Sequence, residues 1–380
     1  MDRREEAKKW LIKQVQSNNP CKNNFVRVYT GTRLGSTWPS DTSRNTGGYI
    51  HYEEIDDQKE FKDLWGNWKK TITEFANILF DDSDEGIIRA LFPEQILQKT
   101  QSLSGQNGRR PALQIIKDVL AHRLISKDVY YVFTKRTRAS TGPMLLRRIL
   151  NFSNMASIWS PSDIVDIYED LGTGLNIVCL AGSWGSPIYA ATKMAPDFVK
   201  KMLVYDVIDE YKDLVSWVDV PFKLELDLQG SEKEPKRRNE FDVVIWNPPY
   251  WCLEQYDSVI TSTIEQGEKQ STYDKEQSFT DWLEDFIYKS AQTAYKLLKR
   301  DGKFLVVVPK EVRFTYSFRK GYFNTEGLVN EKGVYSISDF GRQVKNKILH
   351  AGFDLKSKRL LKQYTRGSSF NGEYLYWFVK

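Results

Sequence analysis

The sequence predicts an α/β fold: a mostly parallel sheet with helices on its faces, preceded by a mixed α/β region. Three observations carry this expectation. Residues 241–246 (Phe-Asp-Val-Val-Ile-Trp) hold one polar and three β-branched side chains, the composition of a central strand covered on both sides. Residues 175–180 (Leu-Asn-Ile-Val-Cys-Leu) read as a second buried strand, which feeds Ala181-Gly182-Ser183-Trp184-Gly185 and then a helix near Pro187. Between the two, strands expected over 202–205 and 222–227 each close on an acid, Asp206 and Asp227.

With 380 residues and a 41% hydrophobic fraction, the chain is long enough for two cored domains, set here at 1–150 and 151–380. A net charge of +5 and a pI near 8.8 are compatible with nucleic acid but too mild to demonstrate it. Cys21, Cys179 and Cys252 have no CxxC spacing, and with three histidines no metal site is expected. No apolar run reaches membrane-spanning length, and the N-terminus lacks a signal-peptide core. The expectation is a soluble intracellular protein, with nucleus and cytoplasm not distinguished.

From the N-terminus, residues 3–16 have helical spacing, with Trp10, Leu11 and Val15 close to one face. Residues 25–29 and 49–52 alternate as strands, between loops rich in Gly, Ser, Thr and Asn. Residues 61–80 carry a helical stripe of Leu64, Trp68, Ile72, Phe75 and Leu79, which is a core pattern. The acidic run 81–85 caps a helical stretch over 86–99 that Pro93 interrupts. After Pro111 an apolar helix is expected through Leu124, then a strand at 129–133. Arg109, Arg110, Lys135, Arg136, Arg138, Arg147 and Arg148 form either a solvated face or a phosphate-contacting surface.

In the second half, Ser160 and Pro161 open a helix bearing Ile164, Ile167 and Tyr168. Asp170-Leu171-Gly172-Thr173-Gly174 looks like a glycine loop, but helical spacing precedes it, where a nucleoside-binding loop must follow a buried strand. It reads as a turn into the strand at 175–180. The loop at 181–185 has the required context of strand, glycine turn and helix, which lets a nucleoside approach the backbone.

The strand at 241–246 runs into Asn247-Pro248-Pro249-Tyr250. Two prolines cannot continue a ladder, so the strand stops and the corner is stiff. An aromatic amino group is a poor nucleophile because its lone pair is delocalised. Two acceptors, the Asn247 side-chain oxygen and the Pro248 carbonyl, would favour a more tetrahedral nitrogen, while Tyr250, with Trp251 beside it, would stack on the ring. Here the chain resembles the amino methyltransferases that carry an (Asn/Asp/Ser)-Pro-Pro-Tyr motif. Most of them act on adenine N6 or cytosine N4 of DNA, and a smaller group on protein glutamine.

The resemblance covers roughly residues 150–380 and implies a Rossmann-like methyltransferase domain with a seven-stranded, mostly parallel sheet and a terminal hairpin. It implies S-adenosylmethionine as cofactor, held by Trp159, Ser160 and Pro161, by Ala181, Gly182 and Gly185, by Asp206 on the ribose, with Asp209 and Glu210 as close competitors, and by Asp227 on the adenine amine. The catalytic corner would be Asn247, Pro248, Pro249 and Tyr250. One position departs from the family, whose strand before the glycines ends in an acid; here Val178, Cys179 and Leu180 stand there. Beyond the corner, residues 252–278 form a polar loop that would border the target pocket. A helix over 278–298, a turn at 299–302 and a strand at 303–309 follow. Then come a basic stretch over 310–347 and strands at 355–364 and 374–379.

The leading expectation is methyl transfer to an exocyclic amine of a nucleic-acid base, first adenine N6 in DNA. One alternative is a catalytically degenerate subunit that binds nucleic acid or an active protein partner. Another is an RNA or protein-glutamine methyltransferase.

Overall fold

The computed structural model describes residues 2–16, 26–29, 50–53, 68–102, 111–120, 124–126, 146, 158–251, 254–256, 278–315, 329–331, 334–362 and 372–380. The chain divides into two compact units, Met1–Ala156 and Ser157–Lys380.

In the first unit the helix Arg3–Gln16 buries Ala7, Leu11 and Val15, a spacing of four that puts all three on one face. It packs against the helices Trp68–Leu79 and Asp84–Leu91. Ser83 caps the last of these, its hydroxyl accepting the Gly86 N–H at 3.1 Å, and the helix stops two residues before Pro93. Strand Val26–Tyr29 pairs antiparallel with Ile50–Glu53. The helix expected from Pro111 to Leu124 covers only Ala112–Leu120, and Leu124–Ser126 is instead a strand, parallel to Arg27–Tyr29. A short apolar run has no period long enough to separate the two states, and the available sheet edge decides. The strand expected at 129–133, and the basic residues around it, lie outside the described residues.

The second unit is built on seven strands. These are β1 (Leu175–Cys179), β2 (Val199–Tyr205), β3 (Lys223–Asp227), β4 (Phe241–Trp246), β5 (Leu298–Pro309), β6 (Asp354–Lys362) and β7 (Glu373–Val379). Their order is β6-β7-β5-β4-β1-β2-β3. Neighbours from β3 to β5 run parallel, and β7 lies antiparallel between β5 and β6. This is the expected seven-stranded, mostly parallel α/β sheet, with the last two strands closing one edge. β4 sits at the centre because it is the most apolar strand: Phe241, Val243, Val244, Ile245 and Trp246 are all buried. Its one acid, Asp242, accepts the Asn176 N–H at 2.8 Å and pairs with Lys299 at 2.6 Å, so the charge costs little.

Helix α1 (Pro161–Glu169) precedes β1, while α2 (Ser186–Thr192) connects β1 to β2 and α3 (Tyr211–Trp217) connects β2 to β3. The turn 170–174 does lie between α1 and β1, as its helical context requires. The helix after the corner runs from Phe279 to Leu297 through a π turn at Leu283–Tyr288, opened by a capping box between Ser278 and Asp281. Residues 299–302 do not form a separate turn. They belong to β5, whose register shifts between Leu298 and Lys303 around Asp301 at φ 62°.

Helix α4 (Phe340–His350) was absent from the expectation of a basic stretch. Its buried Phe340, Val344 and Ile348 recur every four residues, a signal masked by the lysines and arginines between them. Among the described residues no helix is long and apolar enough to cross a membrane, and no group of His, Cys, Asp and Glu could hold a metal ion.

Candidate active site

Parallel strands place the ends of β1, β2, β3 and β4 on one edge of the sheet. Cys179 is level with Val204 on one side and Ile245 on the other, and Tyr205 is level with Asp227. The glycine loop, Asp206, Asp227 and Asn247 therefore emerge in one row, where open α/β sheets bind ligands.

The loop after β1 is held in an unusual backbone shape. Ser183, Trp184 and Gly185 take φ values of 46°, 60° and 84°, and two of the four non-glycine residues with positive φ among the described residues lie here. Such conformations cost about 1–3 kcal/mol each and persist only where the surroundings fix them. The fixing groups are Asp206 and Tyr211. Asp206 Oδ2 accepts the Gly182 N–H at 2.9 Å, and Oδ1 accepts the Ile208 N–H at 3.0 Å. The Gly185 N–H donates to the Tyr211 hydroxyl at 2.9 Å. Burial pushes the Asp206 carboxyl up to about 6, against the pull of the N–H groups and of the Tyr211 hydroxyl beside it.

Gly182 is required by space rather than by φ. A Cβ there would stand 2.3 Å from the Tyr211 hydroxyl oxygen and 2.6 Å from Asp206 Oδ2. Asp206 thus binds the loop itself, a contact that the spacing of the sequence did not reveal. Tyr211 was missed altogether, since nothing in its own stretch distinguishes it from a core tyrosine.

Asp227, at the end of β3, takes a hydrogen bond from the Gln229 amide at 3.1 Å. It borders a cavity of about 450 Å³ lined by Leu203, Tyr205, Glu225, Leu226, Lys236 and Arg237. The volume is in the range of small-molecule sites. Val178, Cys179 and Leu180 are all buried, so the strand end offers no carboxylate to a methionine ammonium. Tyr168 donates to the Pro187 carbonyl at 3.2 Å and lies against Cys179, whose thiol burial pushes up. Trp159 is buried, with Ser160 and Pro161 at the start of α1, which packs on α2 just beyond the glycine loop. The glycine loop and the Asp227 carboxylate are groups that a nucleoside could use, while the acid expected for the amino-acid part of the cofactor is missing.

The corner follows β4 as expected. Tyr250 is buried, edge-on to Phe340 with ring centroids 5.8 Å apart, and its hydroxyl donates toward Asn247 Oδ1 at 3.1 Å. The same hydroxyl is 3.5 Å from Glu373 Oε1, on β7. Trp251 is also buried, its ring tilted against Phe279, which stacks on Trp282 and Phe340, so it belongs to the wall of the site. Most of residues 252–278 lie outside the described residues.

Residues 192–345, less than half of the chain, match the family model described as Eco57I restriction-modification methylase. No curated protein sequence matches the chain. Solved structures that resemble it include the 1,6-didemethyltoxoflavin-N1-methyltransferase of Burkholderia thailandensis, at 11% identity and a TM-score of 0.35 over 58% of this chain and 76% of that one. The N-methyltransferase NodS of Bradyrhizobium japonicum WM9 gives 11% identity and 0.35 over 58% and 85%. A SAM-dependent methyltransferase of Methanosarcina mazei gives 12% identity and 0.35 over 57% and 96%. These overlays are loose, and the fold rests on the strand order of the chain itself.

Proposed function

We propose that the chain transfers a methyl group from S-adenosylmethionine to an exocyclic amine of a nucleic-acid base, first adenine N6 in DNA. The observation that supports this most is the row of groups at one sheet edge: the clamped glycine loop, Asp227 with its cavity, and the Asn247–Tyr250 corner after the central strand. The partial match to a restriction-modification methylase family favours DNA as the acceptor.

The glycine loop and Asp227 would hold the cofactor, with Asp206 setting the shape of the loop and offering remaining lone pairs to the ribose. When bound, the cofactor supplies a methyl group on a positively charged sulfur. Asn247 Oδ1 and the Pro248 carbonyl would draw on the hydrogens of the target amine, and Tyr250 would turn from Phe340 to stack on the base. A base within a duplex would have to be flipped out to reach this corner.

Transfer of label from methyl-labelled cofactor to DNA tests the reading, with RNA and a glutamine peptide as alternative acceptors. Asn247→Ala should cost at least about 100-fold. Activity unchanged in that variant would remove the role given to the corner. A second reading, a degenerate subunit, is favoured by the absence of an acid at 178–180. Calorimetric titration separates the two: stoichiometric cofactor binding supports the enzyme, and no heat at millimolar cofactor supports the subunit.

A further inference from the structure

β7 enters the sheet between β5 and β6, and its first residue, Glu373, is level with Pro309 at the end of β5. β5 runs parallel to β4 with Val306 beside Trp246, so Glu373 arrives at the edge occupied by Asn247. The Tyr250 hydroxyl marks the point where they meet, 3.1 Å from Asn247 Oδ1 and 3.5 Å from Glu373 Oε1. A hydroxyl brings one proton to these two acceptors. An amino group would bring two.

We propose that Glu373 lines the target pocket as an acceptor for the substrate amine and receives the proton that the amine loses. The proposal rests on the methyl-transfer reading above and adds a residue to it. Once the Tyr250 ring turns to stack on the base, the amine nitrogen takes the place of the hydroxyl oxygen, with one N–H on Asn247 and the second shared between the Pro248 carbonyl and Glu373. The nitrogen lone pair forms the new N–C bond, while the C–S bond of the sulfonium donor breaks and its electron pair stays on sulfur. The nitrogen becomes cationic, which a carboxylate at hydrogen-bond distance stabilises far better than a neutral acceptor. One proton then passes from nitrogen to the Glu373 carboxylate, leaving a neutral methylamino group and a carboxylic acid that returns the proton to water.

The test is steady-state methyl transfer to DNA by the full chain and its variants, each first shown to melt like the parent by circular dichroism. Glu373→Gln should lower kcat about 100-fold with KM changed less than about threefold, since the carboxylate acts mainly on the transition state. Glu373→Ala should recover part of its activity in added formate, which replaces the missing proton acceptor without restoring any contact to the protein. The same Glu373→Gln loss should appear in a Tyr250→Phe background.

Failure of Glu373→Gln to add anything to Tyr250→Phe would show that Glu373 only holds the tyrosine, and would overturn the proposal. So would full activity of Glu373→Gln beside an active parent chain, a result that leaves the methyl-transfer reading intact. No transfer by the parent chain to any nucleic acid would instead defeat that reading, and this proposal with it.

Discussion

Replacing Gly182 by alanine tests the clamp on the glycine loop most directly. The new Cβ would lie 2.3 Å from the Tyr211 hydroxyl oxygen, 2.4 Å from its Cζ and 2.6 Å from Asp206 Oδ2. Tyr211 is fully buried and its hydroxyl is held by the Gly185 N–H, so it cannot swing aside freely. Moving it forfeits a hydrogen bond worth about 1 kcal/mol, and the carboxylate bond to the Gly182 N–H is worth about 2 kcal/mol. Overpacking alone costs about 1–3 kcal/mol. These losses overlap, and a net destabilisation of about 3 kcal/mol is expected. For a unit of this size that lowers the melting temperature by about 6–12 °C.

Gly172→Ala is the control. Its Cβ meets nothing within 4 Å, leaving only the strain of φ +93°, about 1 kcal/mol. Thermal and urea unfolding followed by circular dichroism would read both variants. A double variant, Gly182→Ala with Tyr211→Leu, removes the obstructing ring and should lose less than the sum of its two single changes. A Gly182→Ala protein melting within about 2 °C of its parent, or strictly additive losses in the double variant, would refute the clamp.

Two further outcomes follow from buried titratable groups. Asp206 titrates near 6 in the folded chain against an ordinary 3.8, so the folded state binds its proton more tightly than the unfolded state. Its ionisation therefore costs stability as pH rises from about 4 to 6, by about 3 kcal/mol when complete, and Asp206→Asn should remove this dependence. Urea midpoints of parent and variant at pH 4, 5, 6 and 7 measure it, and an unchanged pH dependence in Asp206→Asn would reject the assignment. Cys179 is fully buried with its thiol pushed up, so it should resist iodoacetamide in the native chain and react only after unfolding, as peptide mass spectrometry would show. Rapid native labelling at Cys179 would mean that β1 opens far more readily than its packing indicates.

Local patterns carried much of the fold. The apolar run of β4 and the two prolines behind it define both the strand and its stop, because they act on their own backbone. The turn at 170–174 was separable from the loop at 181–185 for a similar reason: helical spacing precedes one and a buried strand the other. Where two local states were nearly balanced, the sequence was ambiguous. Leu124–Ser126 became a strand because a partner edge was available, and α4 was hidden by charged residues on its exposed face.

Convergence of side chains was set by the packing of distant elements. Asp206 closes β2 as its position required, yet whether it faces a ribose or the loop depends on Tyr211 and Gly182 approaching from other elements. Glu373 lies 123 residues beyond Tyr250, and no local signal links them. They meet because β7 inserts antiparallel between β5 and β6, which brings the start of the last strand to the edge where β4 ends. The corner at Asn247–Tyr250 is legible in its own residues. The strand order determined its neighbours, since contact across a sheet is set by pairing and not by distance along the chain.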